Sequence, residues 1–263
     1  MNSRMLKHPP LIEHIFEICW KHSDGQGALF DEYELALGQL YKQVGGKLNL
    51  PCRERMTGHL PREVYVTLPA GSRLVFDRFV SAPSLDDKLS YPLVQYGPGI
   101  ASYNVDKDNY DWKAVRTGIL ELFQKLQDVH PELTSRTSKI SLRAIDFFET
   151  DNPADCLRKK FKINFNTDLQ GVDQDLNFLE GATEMPRLQN TWILENKQTK
   201  LRLAVTPGTF DGKNGLFLDI EAESSRDALQ EKDIKELIDL QHKLTGELFF
   251  ALLTEELLRE LNS

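Results

Sequence analysis

Six histidines, three cysteines and several paired carboxylates are the side chains with the means to do chemistry, and their spacing limits them. His8, His14, His22, His59, His130 and His242 form no His-x-His or His-Glu-x-x-His pair, so no two imidazoles stand one repeat apart to share a metal. His14 falls on the apolar face of an alternating segment and reads as a satisfied core histidine. His242 lies inside a helical run beside Asp239 and Lys243. It reads as a packing or capping residue, because no base and orienting partner accompany it. Cys19, Cys52 and Cys156 form no Cys-x-x-Cys and are odd in number, which predicts free thiols in a reducing compartment.

The acidic pairs are Asp86-Asp87, Asp173/Asp175 and Glu255-Glu256. Asp146 and Glu149 flank Phe147-Phe148 at a strand end, with Lys159 and Lys160 close behind. That is only a loose likeness to a metal-dependent nuclease, and a solvated strand end accounts for it more simply. Gly97-Pro98-Gly99 lacks the Lys-Ser/Thr and the following helix of a phosphate loop and reads as a turn. No Gly-x-Ser-x-Gly elbow occurs. On these grounds no catalytic residue is assigned, and neither a cofactor nor a metal is expected.

Two groups suit binding. Between residues 42 and 62 lie Lys42, Lys47, Arg53, Arg55 and Arg62, in a stretch read as a loop. Lys47, Arg53, Arg55 and Arg62 are its candidate contacts to nucleic acid. Tyr96, Tyr103, Tyr110 and Phe210 stand outside the obvious apolar stripes, near hairpin ends and a helix entry. They form the candidate partner surface, since tyrosine joins a large apolar body to a hydrogen-bonding tip.

The elements that must position these groups follow from periodicity. Residues 11–20 alternate, with Ile12, His14, Phe16, Ile18 and Trp20 on one face. Residues 29–44 have helical spacing, ended by Gly45-Gly46. Strand patterns follow at 63–68, 73–80 and 92–105. A helix over 111–127 starts from Asp111, and a strand covers 139–148. This order resembles a βαββαβ unit. Asp, Asn and Pro cluster at 150–156 and read as a link. Beyond it are expected a strand from Leu157 to Phe165, a polar acidic stretch at 166–186, and three strands at 187–195, 199–206 and 215–223. A long helical run over 226–261 closes the chain, with a fresh start at Thr254. The fold class is therefore α+β in two consecutive halves, 1–150 and 151–263. Each is a mainly antiparallel sheet packed by helices, the first ferredoxin-like and the second a β-meander with a long helix.

At 263 residues the chain is long enough for two such halves. A net charge of -8 disfavours nucleic acid as the partner, because phosphate neutralisation needs a basic surface. No signal peptide and no apolar run of membrane-spanning length is seen, so a cytoplasmic setting without membrane contact is expected.

Several segments together resemble a sporadically distributed bacterial family, often of this length, encoded near mobile elements and phage-defence or restriction genes. They are Pro9-Pro10-Leu11-Ile12-Glu13, VQYGPGIASYNVDKDNYDWKAV, SKISLRAIDFFE at 138–149 and HKLTGELFFALLTEELL at 242–258. The family pattern has a Pro-Pro-Ile-x-Glu opening, a Tyr-x-x-Trp helix entry, an Arg-Leu-Arg-Tyr-Ile-Asn strand and His, Phe and Thr-Glu in the last helix. The matching positions are Tyr110 and Trp112, spaced one shorter, the strand from Leu142 to Asp146, and His242, Phe249 or Phe250, Thr254 and Glu255. Ala144 and Asp146 depart from the family's Tyr and Asn. The resemblance implies a cellular context and no catalytic residues. The expected function is a non-enzymatic protein-interaction component or regulator of a bacterial defence or toxin-related locus, its partner a protein encoded in the same locus. The alternative is a nucleic-acid-binding or nucleic-acid-processing protein using the 42–62 stretch.

Overall fold

The computed structural model of the chain describes residues 6–24, 26–50, 52–57, 75–81, 90–162, 188–194, 198–225, 227, 229 and 232–263. The expected strand at 63–68, the polar stretch at 166–186, Arg62, His59, Asp86-Asp87 and Asp173/Asp175 lie outside the described residues.

Among the described residues nine strands make one antiparallel sheet: β1 (Leu11–Trp20), β2 (Cys52–Thr57), β3 (Val75–Val80), β4 (Leu93–Gly97), β5 (Ile100–Asp106), β6 (Thr137–Glu149), β7 (Leu188–Ile193), β8 (Thr199–Phe210) and β9 (Lys213–Ser225). Their order across the sheet is β2-β3-β4-β5-β1-β6-β9-β8-β7. The division at residue 150 falls just after β6. The sheet crosses it unbroken, since β6 pairs with β9 from Lys139↔Ser225 to Glu149↔Gly215. The two tight hairpins use the backbone that their sequences dictate. Gly99 takes φ +76 between β4 and β5, and Asp211-Gly212 takes φ 49 and 74 between β8 and β9, the doubly left-handed turn that matches strand twist.

The helices are α1 (Gln26–Lys47), α2 (Trp112–Val129), α3 (Leu133–Arg136), α4 (Pro153–Lys160), α5 (Ile234–Leu252) and α6 (Glu255–Glu260). Asp111 caps α2 by accepting from the Ala114 amide, and Thr254 caps α6 by accepting from the Leu257 amide. No described helix is long and apolar enough to cross a membrane.

Three expectations about local structure are corrected. Gly45-Gly46 does not end α1, which continues to Lys47. The stop comes at Asn49, in the left-handed region at φ 55. Residues 45–62 are not one loop, since they contain the end of α1 and all of β2. Residues 157–160 are helical, not the start of a strand. Asn152 accepts from the Asp155 amide as N-cap, Pro153 opens the first turn, and Arg158, Lys159 and Lys160 sit at the negative end of the dipole.

One face of the sheet carries the core. Under α1 and α2 it contains Phe16, Ile18, Trp20, Tyr33, Leu40, Tyr96, Ile119 and Leu122. A second cluster, with Leu157, Leu203, Leu218, Ile220 and Leu253, lies under α4, α5 and α6. Helix α5 spans both: Leu237 and Ile238 belong to the first cluster and Leu252 to the second.

Gly118 shows how closely α2 sits on the sheet. A Cβ there would collide with the ring and hydroxyl of Tyr103 on β5. Gly118→Ala gains up to about 1 kcal/mol of helix propensity but overpacks the interface at about 1–3 kcal/mol. A net loss of stability is expected in urea denaturation, and a gain would show that Tyr103 moves aside freely.

Candidate functional site

The opposite face of the sheet is polar. It lies across the strands from the helices, and its side chains meet in cross-strand rows set by the register. Glu17 faces Ser141, which faces Glu223, which faces Lys200. Next comes Ile15, Arg143, Glu221 and Arg202. The rows are tied by ion pairs. Arg143 donates from Nε and its outer amine to both oxygens of Asp219, each at 2.7 Å. Arg202 donates to Glu221 at 2.6 Å, and Lys139 reaches Glu17 at 2.8 Å and Glu223 at 4.0 Å. Asn104 and Tyr91 donate to Glu13 at 2.8 and 3.1 Å. Half-buried pairs of this kind contribute on the order of 1 kcal/mol each. Their larger consequence is a broad polar sheet face on which, among the described residues, no helix packs. Around Ser102 and Ser141 the face is concave, with a cavity volume of about 680 Å³.

At one end the same face turns aromatic. Phe147 packs against Phe217 at a ring separation of 5.0 Å and against Phe210 at 5.6 Å. Gly208 and Gly215 leave room for these rings, since a Cβ at either would strike Phe217 or Phe147. Phe210 is 44% exposed.

On the helix side, two buried polar groups tie elements together. Glu32 on α1 accepts two hydrogen bonds from Arg136 and one from His130 Nδ1, so Nε2 of a neutral His130 accepts the Tyr96 hydroxyl at 2.8 Å. Burial lowers the His130 pKa against the pull of Glu32, and burial raises that of Tyr96. The second group is His14, Tyr110, Trp112, Asp146 and His242, where α5 meets β1 and the start of α2. His242 stacks on Trp112 at 3.7 Å and 11°, and Arg116 clamps Asp239 with two hydrogen bonds. Burial lowers the His14 pKa to about 3 and that of His242 to about 4, and raises that of Asp146 to about 8. His14 is in the core as expected, but it is not satisfied: its Nδ1 has no hydrogen-bond partner. Asp146 is buried and is no solvated strand end. Among the described residues no three His, Cys, Asp or Glu side chains converge as a metal site. Burial beside Glu17 pushes the Cys19 thiol up to about 12, far from a reactive thiolate.

The expected partner surface is corrected in part. Tyr96 is fully buried and Tyr103 nearly so, because both sit on helix-facing positions of β4 and β5. Tyr110 is half-buried against the core and reaches His242 at 3.5 Å, while Phe210 is exposed. The four therefore do not share one accessible face. Of the expected nucleic-acid contacts, Arg53 on β2 pairs with the buried Asp77 at 2.7 Å. Lys47 ends α1 and Arg55 lies in β2, with their side chains outside the described residues. Sequence reasoning missed the polar face as a site. Its signal was present in the polar residues alternating with apolar ones along KISLR and LDIEAES, which periodicity analysis used only to place strands.

No family model, no curated protein and no solved structure matches this chain.

Proposed function

We propose that the protein is a non-enzymatic interaction component that meets a protein partner on the helix-free face of its sheet. The observation that carries this reading is the aromatic group of the exposed Phe210 and the half-buried Phe147 and Phe217, adjoining the ion-paired rows. It combines an apolar anchor with a polar surround, the anatomy of a protein interface. His14 and His130 are buried on the other side, closed to a substrate, which supports binding over catalysis. The strand order β6-β1-β5-β4, with α1 after β1 and α2 after β5, supports the ferredoxin-like reading of the first half, with β2 and β3 inserted. The family resemblance supports a setting in a bacterial defence or toxin-related locus, with the partner encoded nearby.

The test is co-expression with the products of adjacent genes. A tagged wild-type chain is expected to retain one of them, and Phe210→Asp to lose it with an unchanged melting temperature. Retention by Phe210→Asp, or no copurifying neighbour, would overturn the reading.

A further inference from the structure

The groove in the middle of this face has more carboxylates than it can pair. Glu13, Glu17, Glu221 and Glu223 line it against three cations, Lys139, Arg143 and Arg202. Arg143 turns its fork onto Asp219, outside the groove, so Lys139, Arg202 and, at the rim 3.8 Å from Glu223, Lys200 are three cations for four carboxylates. Lys139 stands between Glu17 and Glu223, and Arg202 is bound to Glu221. Glu13 receives hydrogen bonds from neutral donors, Tyr91 and Asn104. The floor also has an open acceptor. Ser141 is 2% exposed and lines the groove, and its hydroxyl has no hydrogen-bond partner among the described residues. From β4 to β8 the groove crosses six strands, roughly 24 Å at the usual strand spacing.

Building on the interaction reading, we propose that this groove receives a basic segment of the partner protein, with a lysine or arginine side chain lying over Ser141 among Glu13, Glu17 and Glu223. A cation there gains carboxylates already held in place by cross-strand pairs. It meets them where the sheet floor removes part of the water that screens an exposed pair. Nucleic acid, an anionic ligand, would meet charge of its own sign.

The test uses the full chain and a fluorescein-labelled octalysine peptide, with octaglutamate as control, followed by anisotropy at low salt. Octalysine is expected to bind and octaglutamate not to bind. The double variant Glu13→Gln/Glu223→Gln should weaken octalysine about tenfold, while Glu132→Gln/Glu247→Gln, equal in charge change but outside the groove, should alter it less than about twofold. Carbodiimide cross-linking of octalysine to the wild-type chain should map to Glu13, Glu17, Glu221 or Glu223, which guards against misfolding of the variant. No binding, an equal loss in both double variants, or cross-links confined to other carboxylates would overturn the proposal. If the proposal fails while Phe210→Asp still releases the neighbouring gene product, the interaction reading stands with a different partner chemistry.

Discussion

Asp146→Asn is expected to make the protein progressively more stable than wild type as pH rises from 5 to 7.5, by about 2–4 kcal/mol over that span. The Asp146 carboxyl is buried on the helix side of β6, and burial alone raises its pKa from 3.8 to about 8. The unfolded chain therefore ionises it above pH 4, while the folded chain keeps it protonated to about pH 8. The stability it contributes is present at low pH and lost as pH rises through that window. His14 and His242 act in the opposite sense. Their folded pKa values, about 3 and about 4, lie below the ordinary 6.5, so their contribution is present above pH 6.5 and lost as pH falls. These three groups together place the wild-type optimum near pH 6.5, and removing Asp146 should turn it into a plateau on the alkaline side. Urea denaturation across pH 4 to 8.5 measures both curves. Parallel profiles for wild type and variant would show that Asp146 is ionised in the fold.

Leu122→Ala should cost about 2–5 kcal/mol, and Phe249→Ala clearly less. Helical spacing puts Leu122 and Phe249 on the apolar stripes of α2 and α5. Leu122 is fully buried between α2 and the sheet, whereas Phe249 is only partly buried, against the second cluster and beside Phe250. A cavity forms only where neighbours close the site on every side. Equal losses for the two would show that the end of α5 is more tightly enclosed than its packing indicates.

Elements with strong periodicity were legible in the sequence. The alternation of β1 and the stripe of α2 behind Asp111 appear where the spacing puts them, as does the Asp-Gly turn between β8 and β9. The short helix α4 was obscured because Phe161, which follows its last turn, bridges Leu253 and extends the apolar alternation that reads as a strand. Its cap and charge order were visible in Asn152-Pro153 and Arg158-Lys159-Lys160. The tyrosines misled for a different reason. Tyr96 looks surplus to an apolar stripe, but its hydroxyl is satisfied inside the core by His130, 34 residues away, a pairing that no local pattern reveals. The candidate site was the least legible part. Arg143 and Asp219 are 76 residues apart, and only the β6–β9 register makes them diagonal neighbours across the two strands.

The most direct test of the central claim, that the helix-free face is where the partner sits, is carboxylate footprinting of the complex by mass spectrometry. Glycine ethyl ester labelling of Glu13, Glu17, Glu221 and Glu223 should fall when the partner is bound, while labelling of Glu132, Glu247 and Glu256 stays unchanged. Protection of the second group with the first still fully labelled would contradict the account.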